Sequence, residues 1–352
     1  MYFGLSEEQN QLRASVRGYL GGLKTARAVV EGEPAHDPER WQRMTQEQGW
    51  QAILIAEEEG GFGFSPVDMA VVLEEVGRAL NPSPLLSTAF ATLALQQAES
   101  SPVVRRALAD IAAGATAALA LNTDIAATVS SGGWELSGQA QSVLGGAEAE
   151  LVVVDTFEGV FLLRDLEFER RALSVFDPTR PLANLAFDNL DLPGDVRLEG
   201  VDVEKVRMGC EVLAACEAVG AAEAAMEMSV DYAKVRQQFG KAIGSFQAVQ
   251  HKCADMMVCV ESARSAAWYA AWAMGAQRDD ARDAAHTAIA LASDALTLCA
   301  RENLQIHGGI GFTWEHDAHL FLKRAQANEA LLGSPQAHRA AIADRIVEGT
   351  WS

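Results

Sequence analysis

The sequence of 352 residues is poor in positive charge, with 28 Lys and Arg against 48 Asp and Glu and a formal net charge of −20. A protein that binds the nucleic-acid backbone needs clustered cations to displace counterions, so this balance argues against that class. No apolar run reaches the roughly 18 to 20 residues of a membrane-spanning helix. The first residues lack the basic start and apolar core of a signal peptide. We therefore expect a cytoplasmic protein that binds neither nucleic acid nor membrane.

Several motifs of common enzyme classes are also missing. The sequence has no phosphate loop, no His-Glu-x-x-His and no Gly-x-Ser-x-Gly. The seven histidines are scattered and the five cysteines lack close ligand spacing, so we expect no metal site and reduced core cysteines. The glycines of "HGGIGF" follow a helical pattern instead of a strand, which excludes a Rossmann turn.

The pattern of apolar residues divides the chain into three parts. Residues 1–112 show helical spacing, with Ser6 as a candidate N-cap. Residues 113–200 contain short alternating runs separated by Gly, Asp and Pro, which are typical of a small β domain. Residues 201–352 contain long alanine-rich segments without proline, which predict long helices, and the third of these ends at a glycine pair. The predicted fold is mainly α with a small β domain in the middle.

Three separated stretches resemble the acyl-CoA dehydrogenase family. They are "GWQAILIAEEEGGFGFSPVDMAVVLEEVGRAL" (49–80), "RQQFGKAIGSFQAVQHKCADM" (236–256) and "QIHGGIGFTWEHDAHLFLKRA" (305–325). Together with the N-terminal "LSEEQNQLR" they span most of the chain in the family's order. The resemblance implies an N-terminal helical domain, a middle β barrel and a C-terminal four-helix bundle.

The resemblance also implies where FAD is bound. In the family, the Arg-x-x-Phe-Gly passage reaches a neighbouring subunit's FAD, and the arginine neutralises the pyrophosphate. A guanidinium matches phosphate oxygens, and glycines allow the backbone to approach a dinucleotide closely. Taken alone, the passage also fits an arginine that caps a helix and a core phenylalanine. The implied cofactor contacts are Arg236, Gln238, Phe239, Phe246, Gln247, Gln305, Ile306, His307, Gly308 and Gly309.

The catalytic base of the family is not found at its commoner position. The family oxidises an acyl-CoA between the α and β carbons: a glutamate removes the α proton while the β hydrogen leaves as hydride to the flavin. Leu332 stands where the glutamate of a Tyr-Glu-Gly-Thr passage is expected, and leucine cannot accept a proton. Glu348 occurs in a similar "VEGT", but it lies too far along the chain to align.

The second position of the family's base is also altered. It falls 26 residues before Arg236, at Cys210. Glu211 is one step away, about 100° around a helix, and Glu217 lies two turns further on. The sequence therefore favours a chain without a catalytic residue of its own. Glu211 is the weaker alternative, and an ion-paired or solvated carboxylate is the plain interpretation of both glutamates.

The β domain departs from the family too. The Thr-Glu-Pro and Gly-Ser-Asp passages are replaced by "NTDIAATVS", and Ser142, Val143 and Leu144 replace the Trp-Ile-Ser/Thr that lies against the flavin ring. The residues that serve a neighbour's flavin are kept, while those for the chain's own ring and base are lost. This pattern resembles the short subunits of bacterial α2β2 steroid-CoA dehydrogenases.

The resemblance thus implies a base-lacking subunit of an FAD-dependent acyl-CoA dehydrogenase. A second dehydrogenase-like chain would supply the base, and an electron-transfer flavoprotein would accept the electrons. The substrate class is an acyl-CoA thioester, with a steroid side chain as one option. Two alternatives stay open: a self-sufficient homomeric enzyme that uses Glu211, and a non-enzymatic scaffold with the same fold.

Overall fold

The computed structural model describes residues 4–21, 25–121 and 123–349. The first part of the chain is helical, as predicted. Ser6 caps the first helix: the Gln9 amide donates to Ser6 Oγ, and the Ser6 amide donates to Gln9 Oε1. Asp37 and Ser101 cap two later helices, each followed by a proline at the first turn. These helices are α1 Glu7–Gly21, α2 Thr25–Val30, α3 Pro38–Glu47, α4 Pro66–Arg78, α5 Leu85–Gln97 and α6 Pro102–Ala112.

The middle of the chain forms two four-stranded sheets. The first has the order β1-β4-β5-β8 and the second β2-β3-β7-β6. Trp134 lies edge-on to Phe161, with ring centroids 5.2 Å apart, in a core built from both sheets. The strands are β1 Ala117–Ala120, β2 Asp124–Ser130, β3 Gly133–Leu144, β4 Leu151–Thr156, β5 Gly159–Arg164, β6 Glu169–Ala172, β7 Leu182–Pro193 and β8 Arg197–Leu198.

The expected barrel is not closed in the part of the chain that the structure describes. Strands β1 and β4 pair in parallel, and each sheet keeps its own two edges. A shift in register between Ala140 and Val143 bends β3 where it pairs with β7. The two sheets therefore pack through their side chains and do not continue into one another.

The C-terminal part is helical again, and it contains the long helices that the sequence predicted. A short hairpin, β9 Gln237–Gln238 and β10 Lys241–Ala242, separates the first two of them. Gly308, with φ at 62°, ends the third, as the glycine pair predicted. The helices are α7 Val203–Val235, α8 Gln247–Gly275, α9 Ala281–His307, α10 Ala318–Leu332 and α11 Pro335–Val347.

The chain divides into two compact units. One contains residues 1–32, 66–81 and 211–352, and the other contains residues 33–65 and 82–210. The first unit therefore combines α1, α2 and α4 with most of α7 and with the later C-terminal helices, and the second holds both four-stranded sheets. The three consecutive domains expected from the sequence stay a prediction, because these units are assembled from separated segments.

Within the first unit, α4 and α7 cross with their backbones in contact. A Cβ at Gly77 would lie 1.9 Å from the Glu217 carbonyl oxygen, and a Cβ at Gly220 would lie 1.7 Å from the Glu74 carbonyl oxygen. Only glycine fits at both points, since real Cβ atoms do not approach a backbone oxygen so closely. The crossing also places the side chains of Glu74 and Glu217 in the interior.

Both interior carboxylates are paired. Glu74 accepts from Arg264 Nε at 2.8 Å and from Trp268 Nε1 at 2.9 Å. Burial opposes the charge of Arg264, yet Glu74 and Glu223 together raise its pKa above the usual value. Glu217 accepts from Arg324 at 2.9 Å, and both of these side chains are buried. Paired in this way, the carboxylates avoid the cost of an uncompensated buried charge.

No helix among the described residues is long and apolar enough to cross a membrane. The five cysteines are free thiols, of which Cys210, Cys216 and Cys299 are buried. Burial raises the pKa of the Cys299 thiol to about 12, and it raises that of Cys216 further. The predicted burial of cysteines in helical core positions is confirmed for these three, and their reduced state stays a prediction.

We expect Gly220→Ala to lower the free energy of unfolding by about 3 kcal/mol or more, because its Cβ would meet an unmovable backbone oxygen. Urea denaturation measures the change. The matched control is Gly18→Ala in α1, where a Cβ meets nothing within 4 Å. Alanine there should leave stability unchanged or raise it by up to about 1 kcal/mol. Equal effects of the two substitutions would contradict the crossing.

Candidate functional site

The hairpin after α7 presents the first group of predicted cofactor residues. Phe239 and Gly240 form its two-residue turn, with φ angles of 53° and 78°. Two positive φ values match a type I′ turn, which favours Asn or Gly at both positions. Glycine adopts this backbone freely, whereas phenylalanine pays roughly 1–2 kcal/mol for it. The sequence therefore keeps an aromatic side chain at a position where the backbone disfavours one.

The side chains of this hairpin face outward. Phe239 is 91% exposed, and Arg236 and Gln238 are also exposed. In the described part of the chain, the Arg236 guanidinium forms no hydrogen bond or ion pair. The structure thus rejects the alternative in which Phe239 is a core residue and Arg236 caps α7. What remains is an ordered hairpin with an available cation and an available ring.

The turn after the hairpin leads directly into α8. The backbone oxygen of Phe246 accepts from the amides of Val249 and Gln250 at 3.0 and 3.1 Å, so Phe246 begins the helix. Its ring lies edge-on to Phe239, with centroids 6.1 Å apart. Gln247 is exposed in the first turn of α8, where the helix dipole is positive. Phe246 and Gln247 therefore follow the hairpin directly, and their contact with the cofactor stays a prediction.

The second predicted group lies at the end of α9. Gln305 is exposed, while Ile306 and His307 are buried. A Cβ at Gly308 or Gly309 would meet nothing within 4 Å, so packing inside the chain does not require glycine at either position. The positive φ of Gly308 requires glycine for its backbone. Gly309 leaves an open stretch of backbone that a ligand could approach.

A ring stack joins the two groups. The ring centroids of Tyr232 and His307 lie 4.2 Å apart. The His316 ring also packs against His307, with the two ring centroids 4.4 Å apart. The Arg236 amide donates to the Tyr232 carbonyl, so the stack lies one turn below the hairpin. Burial lowers the pKa of His307, whose Nδ1 lies 2.8 Å from the Asn303 carbonyl oxygen. The contacts of His307 with Tyr232, His316 and the Asn303 carbonyl therefore fix its ring at the start of the glycine loop.

The candidate bases are placed less favourably. Leu332 is the last residue of α10, and Glu348 is exposed at the end of α11. Glu217 is engaged by Arg324 in the interior. The plain interpretation of Glu217 as an ion-paired helix carboxylate therefore describes what the structure shows.

Glu211 lies in a buried cluster with two histidines. Its Oε2 is 3.4 Å from His286 Nδ1 and its Oε1 is 3.9 Å from His338 Nδ1. The two Nδ1 atoms are 3.1 Å apart, and His338 Nε2 lies 3.0 Å from the Leu332 carbonyl oxygen. Burial, with help from His338 and Arg282, lowers the pKa of His286 to about 4, and burial also lowers that of His338. These lowered pKa values favour the neutral form of both rings.

Sequence reasoning missed this cluster. It weighed Glu211 alone, and it took the histidines as scattered because His286 and His338 are 52 residues apart. The two come together only because α9 and α11 pack side by side, where Arg345 also pairs with Asp283. The signal available in the sequence was a histidine on each of two helical segments, which does not indicate a contact without their packing.

The positions aligned with the flavin-ring passage lie in β3. Val143 and Leu144 are buried in the core of the sheets. Ser142 is exposed, has φ at 55°, and donates its amide to Asn184 Oδ1 at 2.9 Å. Two of the three replacements therefore serve packing, and only the small Ser142 faces outward.

Known proteins resemble the chain over nearly its whole length. Residues 6–127 match the acyl-CoA dehydrogenase N-terminal domain, and residues 200–347 match the C-terminal domain. The acyl-CoA dehydrogenase IpdE2 of Mycobacterium tuberculosis is 36% identical over 335 residues, which cover 94% of each chain.

Two solved structures share the fold. The ChsE4–ChsE5 complex from Mycobacterium tuberculosis superposes with a TM-score of 0.91 at 25% identity and covers 99% of both chains. A variant of the Tcur3481–Tcur3483 steroid ACAD has a TM-score of 0.87 at 26% identity, covering 97% of this chain and 98% of that one.

We expect Phe239→Asn to leave the isolated chain at least as stable as the wild type, with a gain of up to about 1 kcal/mol. Asparagine tolerates positive φ and creates the Asn-Gly pair that type I′ turns favour. Urea denaturation measures the effect. The control is Phe321→Asn, which places an amide in a buried position of α10 and should cost about 3 kcal/mol or more. A marked loss of stability in Phe239→Asn would mean that the ring packs within its own chain.

Proposed function

The chain belongs to the acyl-CoA dehydrogenase family, and on this basis we propose that it is the base-lacking subunit of a heteromeric enzyme. It completes an FAD site together with a second acyl-CoA dehydrogenase-like chain, and that partner removes the α proton. The assembly we propose is an α2β2 heterotetramer that desaturates an acyl-CoA thioester.

The observation that carries this proposal is the exposed hairpin. Arg236 and Phe239 stand on an ordered turn, and the backbone of Phe239 is strained although the ring is 91% exposed. Strain of this kind persists where function requires the side chain. The Phe239 ring lies edge-on to Phe246 yet stays 91% exposed, so this ring and the Arg236 cation are available to a ligand or a neighbouring subunit.

The residues present fit one half of FAD, the cofactor that the family indicates. Arg236 offers a bidentate donor for the pyrophosphate, and the first turn of α8 at Gln247 offers a positive dipole to an anion. The open backbone at Gly308 and Gly309 can approach the adenosine end. FAD, when bound, accepts the β hydrogen of the substrate as hydride. Of the three residues aligned with the family's flavin-ring passage, only Ser142 is exposed and could contact the flavin ring.

The carboxylates support assigning the base to the partner. A general base must reach the proton it abstracts, and it must be free to accept it. Glu217 is held by a buried arginine, Leu332 has no proton acceptor, and Glu211 faces two imidazoles within the helical unit. In this proposal, the chain's contribution to the reaction is to bind and orient the flavin.

The relatives guide the choice of partner and substrate. The ChsE4–ChsE5 structure is a complex of two different proteins, and Tcur3481–Tcur3483 is a steroid ACAD. By analogy we propose a partner that retains the family's glutamate, a steroid side-chain CoA thioester as substrate and an electron-transfer flavoprotein as electron acceptor.

The proposal predicts how flavin content depends on assembly. The chain purified alone should be colourless, and the chain co-expressed with a dehydrogenase-like partner that retains the glutamate should yield a yellow mixed tetramer with one FAD for each pair of chains. Flavin absorbance and native mass measure both states. Replacing the partner's glutamate by glutamine should stop reduction of the bound flavin by acyl-CoA without loss of FAD.

The two alternatives give different results in the same experiment. A homomeric enzyme would be yellow alone, with one FAD per chain, and acyl-CoA would bleach it. A scaffold would stay colourless in every assembly. Either result would refute the heteromeric proposal.

We expect Arg236→Ala to weaken FAD binding by the assembly about 10- to 100-fold, because a charge-assisted contact of roughly 1.5–3 kcal/mol is lost. Arg236→Lys should recover only part of the affinity, since the paired geometry of the guanidinium is lost. Equilibrium dialysis with FAD measures the affinity. The control is Arg106→Ala, an exposed arginine in α6 that should behave as wild type. Undiminished binding in Arg236→Ala would refute the assignment.

A further inference from the structure

Three potential metal ligands converge in the interior of the helical unit. Glu211 on α7, His286 on α9 and His338 on α11 are all buried, and their ligand atoms all lie within 4.8 Å of one another. No two of them belong to the same helix. The cluster is separate from the exposed hairpin and from the glycine loop described above.

The spacing of the three groups is that of ligands around one ion. In a tetrahedral site with bonds of about 2.0–2.1 Å, neighbouring ligand atoms lie about 3.3–3.4 Å apart. The two Nδ1 atoms are 3.1 Å apart, and Glu211 Oε2 is 3.4 Å from His286 Nδ1. The other carboxylate oxygen, Glu211 Oε1, lies 3.9 Å from His338 Nδ1, so each oxygen of this carboxylate faces one of the two nitrogens.

A backbone contact orients one of the imidazoles. His338 Nε2 lies 3.0 Å from the Leu332 carbonyl oxygen, which can only accept, so Nε2 carries the hydrogen. The lone pair of the neutral ring is then on Nδ1, which faces the cluster. A hydrogen bond from the second ring nitrogen to a backbone carbonyl is the usual arrangement for a metal-binding histidine.

We propose that Glu211, His286 and His338 bind a divalent transition-metal ion, with Zn²⁺ as the best match. Two imidazole nitrogens and one carboxylate are ligands that Zn²⁺ prefers, whereas Ca²⁺ and Mg²⁺ require mainly oxygen. The second carboxylate oxygen or a water completes the coordination. The ion carries +2, and Glu211 neutralises half of this charge.

The site would act as a structural clasp. It joins α7, α9 and α11, and through His338 it holds the backbone at Leu332, the position where the family's base is expected. The Arg345–Asp283 pair forms a second link between α9 and α11. The clasp explains why a carboxylate beside the family's second base position points at two histidines. It does not depend on the heteromeric assembly proposed above.

The test is metal binding by the full chain, purified without a polyhistidine tag. Elemental mass spectrometry should find one Zn²⁺ per chain, or the metal-free chain should take up one equivalent of added Zn²⁺ with a rise of several degrees in its unfolding midpoint. His338→Asn should weaken binding at least about 10-fold, because a direct ligand is lost. The control is His251→Asn, an exposed histidine of α8 that should bind as wild type does.

Two further measurements keep the test decisive if His338→Asn fails to fold. The first is His286→Gln, which removes a different ligand and should also weaken binding of Zn²⁺. The second is Co²⁺ binding to the wild type, because Co²⁺ at a four-coordinate site of nitrogen and oxygen ligands should give strong visible absorption. A wild type that takes up neither ion, with no shift of the unfolding midpoint, would show a hydrogen-bonded cluster and overturn the proposal. Flavin content in the same samples is a separate readout, so a failure of the FAD assignment would not be mistaken for this result.

Discussion

The backbone contact between α4 and α7 is the constraint on which the helical unit depends. Gly77 and Gly220 each face the carbonyl oxygen of a glutamate on the opposite helix, so neither helix can move away without losing close packing along both. The crossing brings Glu74 and Glu217 into the interior. Buried carboxylates require cations, and Arg264 from α8 and Arg324 from α10 supply them. Four helices are thereby linked by two glycines and two ion pairs.

The packing of these helices also decides which side chains are free to contact a ligand or a partner. Inside the unit, Glu217 is held by its arginine and Glu211 by two imidazoles, so the carboxylates nearest to the family's second base position are already engaged. At its surface, Arg236 and Phe239 are presented on a strained but ordered turn. A chain that engages its interior carboxylates and exposes a cation and a ring is suited to completing a site that another chain begins.

Sequence patterns predicted most of the helical architecture, because helices depend on local signals. The N-cap at Ser6, the glycine that ends α9 and the long alanine-rich segments of α7 to α9 were all found where the sequence placed them. The middle domain was predicted as β, but its closure was not settled by local pattern. Pairing of strands distant in sequence decides whether two sheets join, and here each sheet keeps its own edges.

The sequence by itself determined the order of helical and β segments, the family, and the absence of a carboxylate at Leu332. Each of these follows from a local pattern or a short motif of neighbouring residues. Only the tertiary structure decided which side chains meet. It exposed Phe239 where a core position was an alternative, and it buried His307 against Tyr232. It also assembled Glu211, His286 and His338 from three helices. Such contacts depend on the packing of segments 50 or more residues apart, and no local spacing encodes that packing.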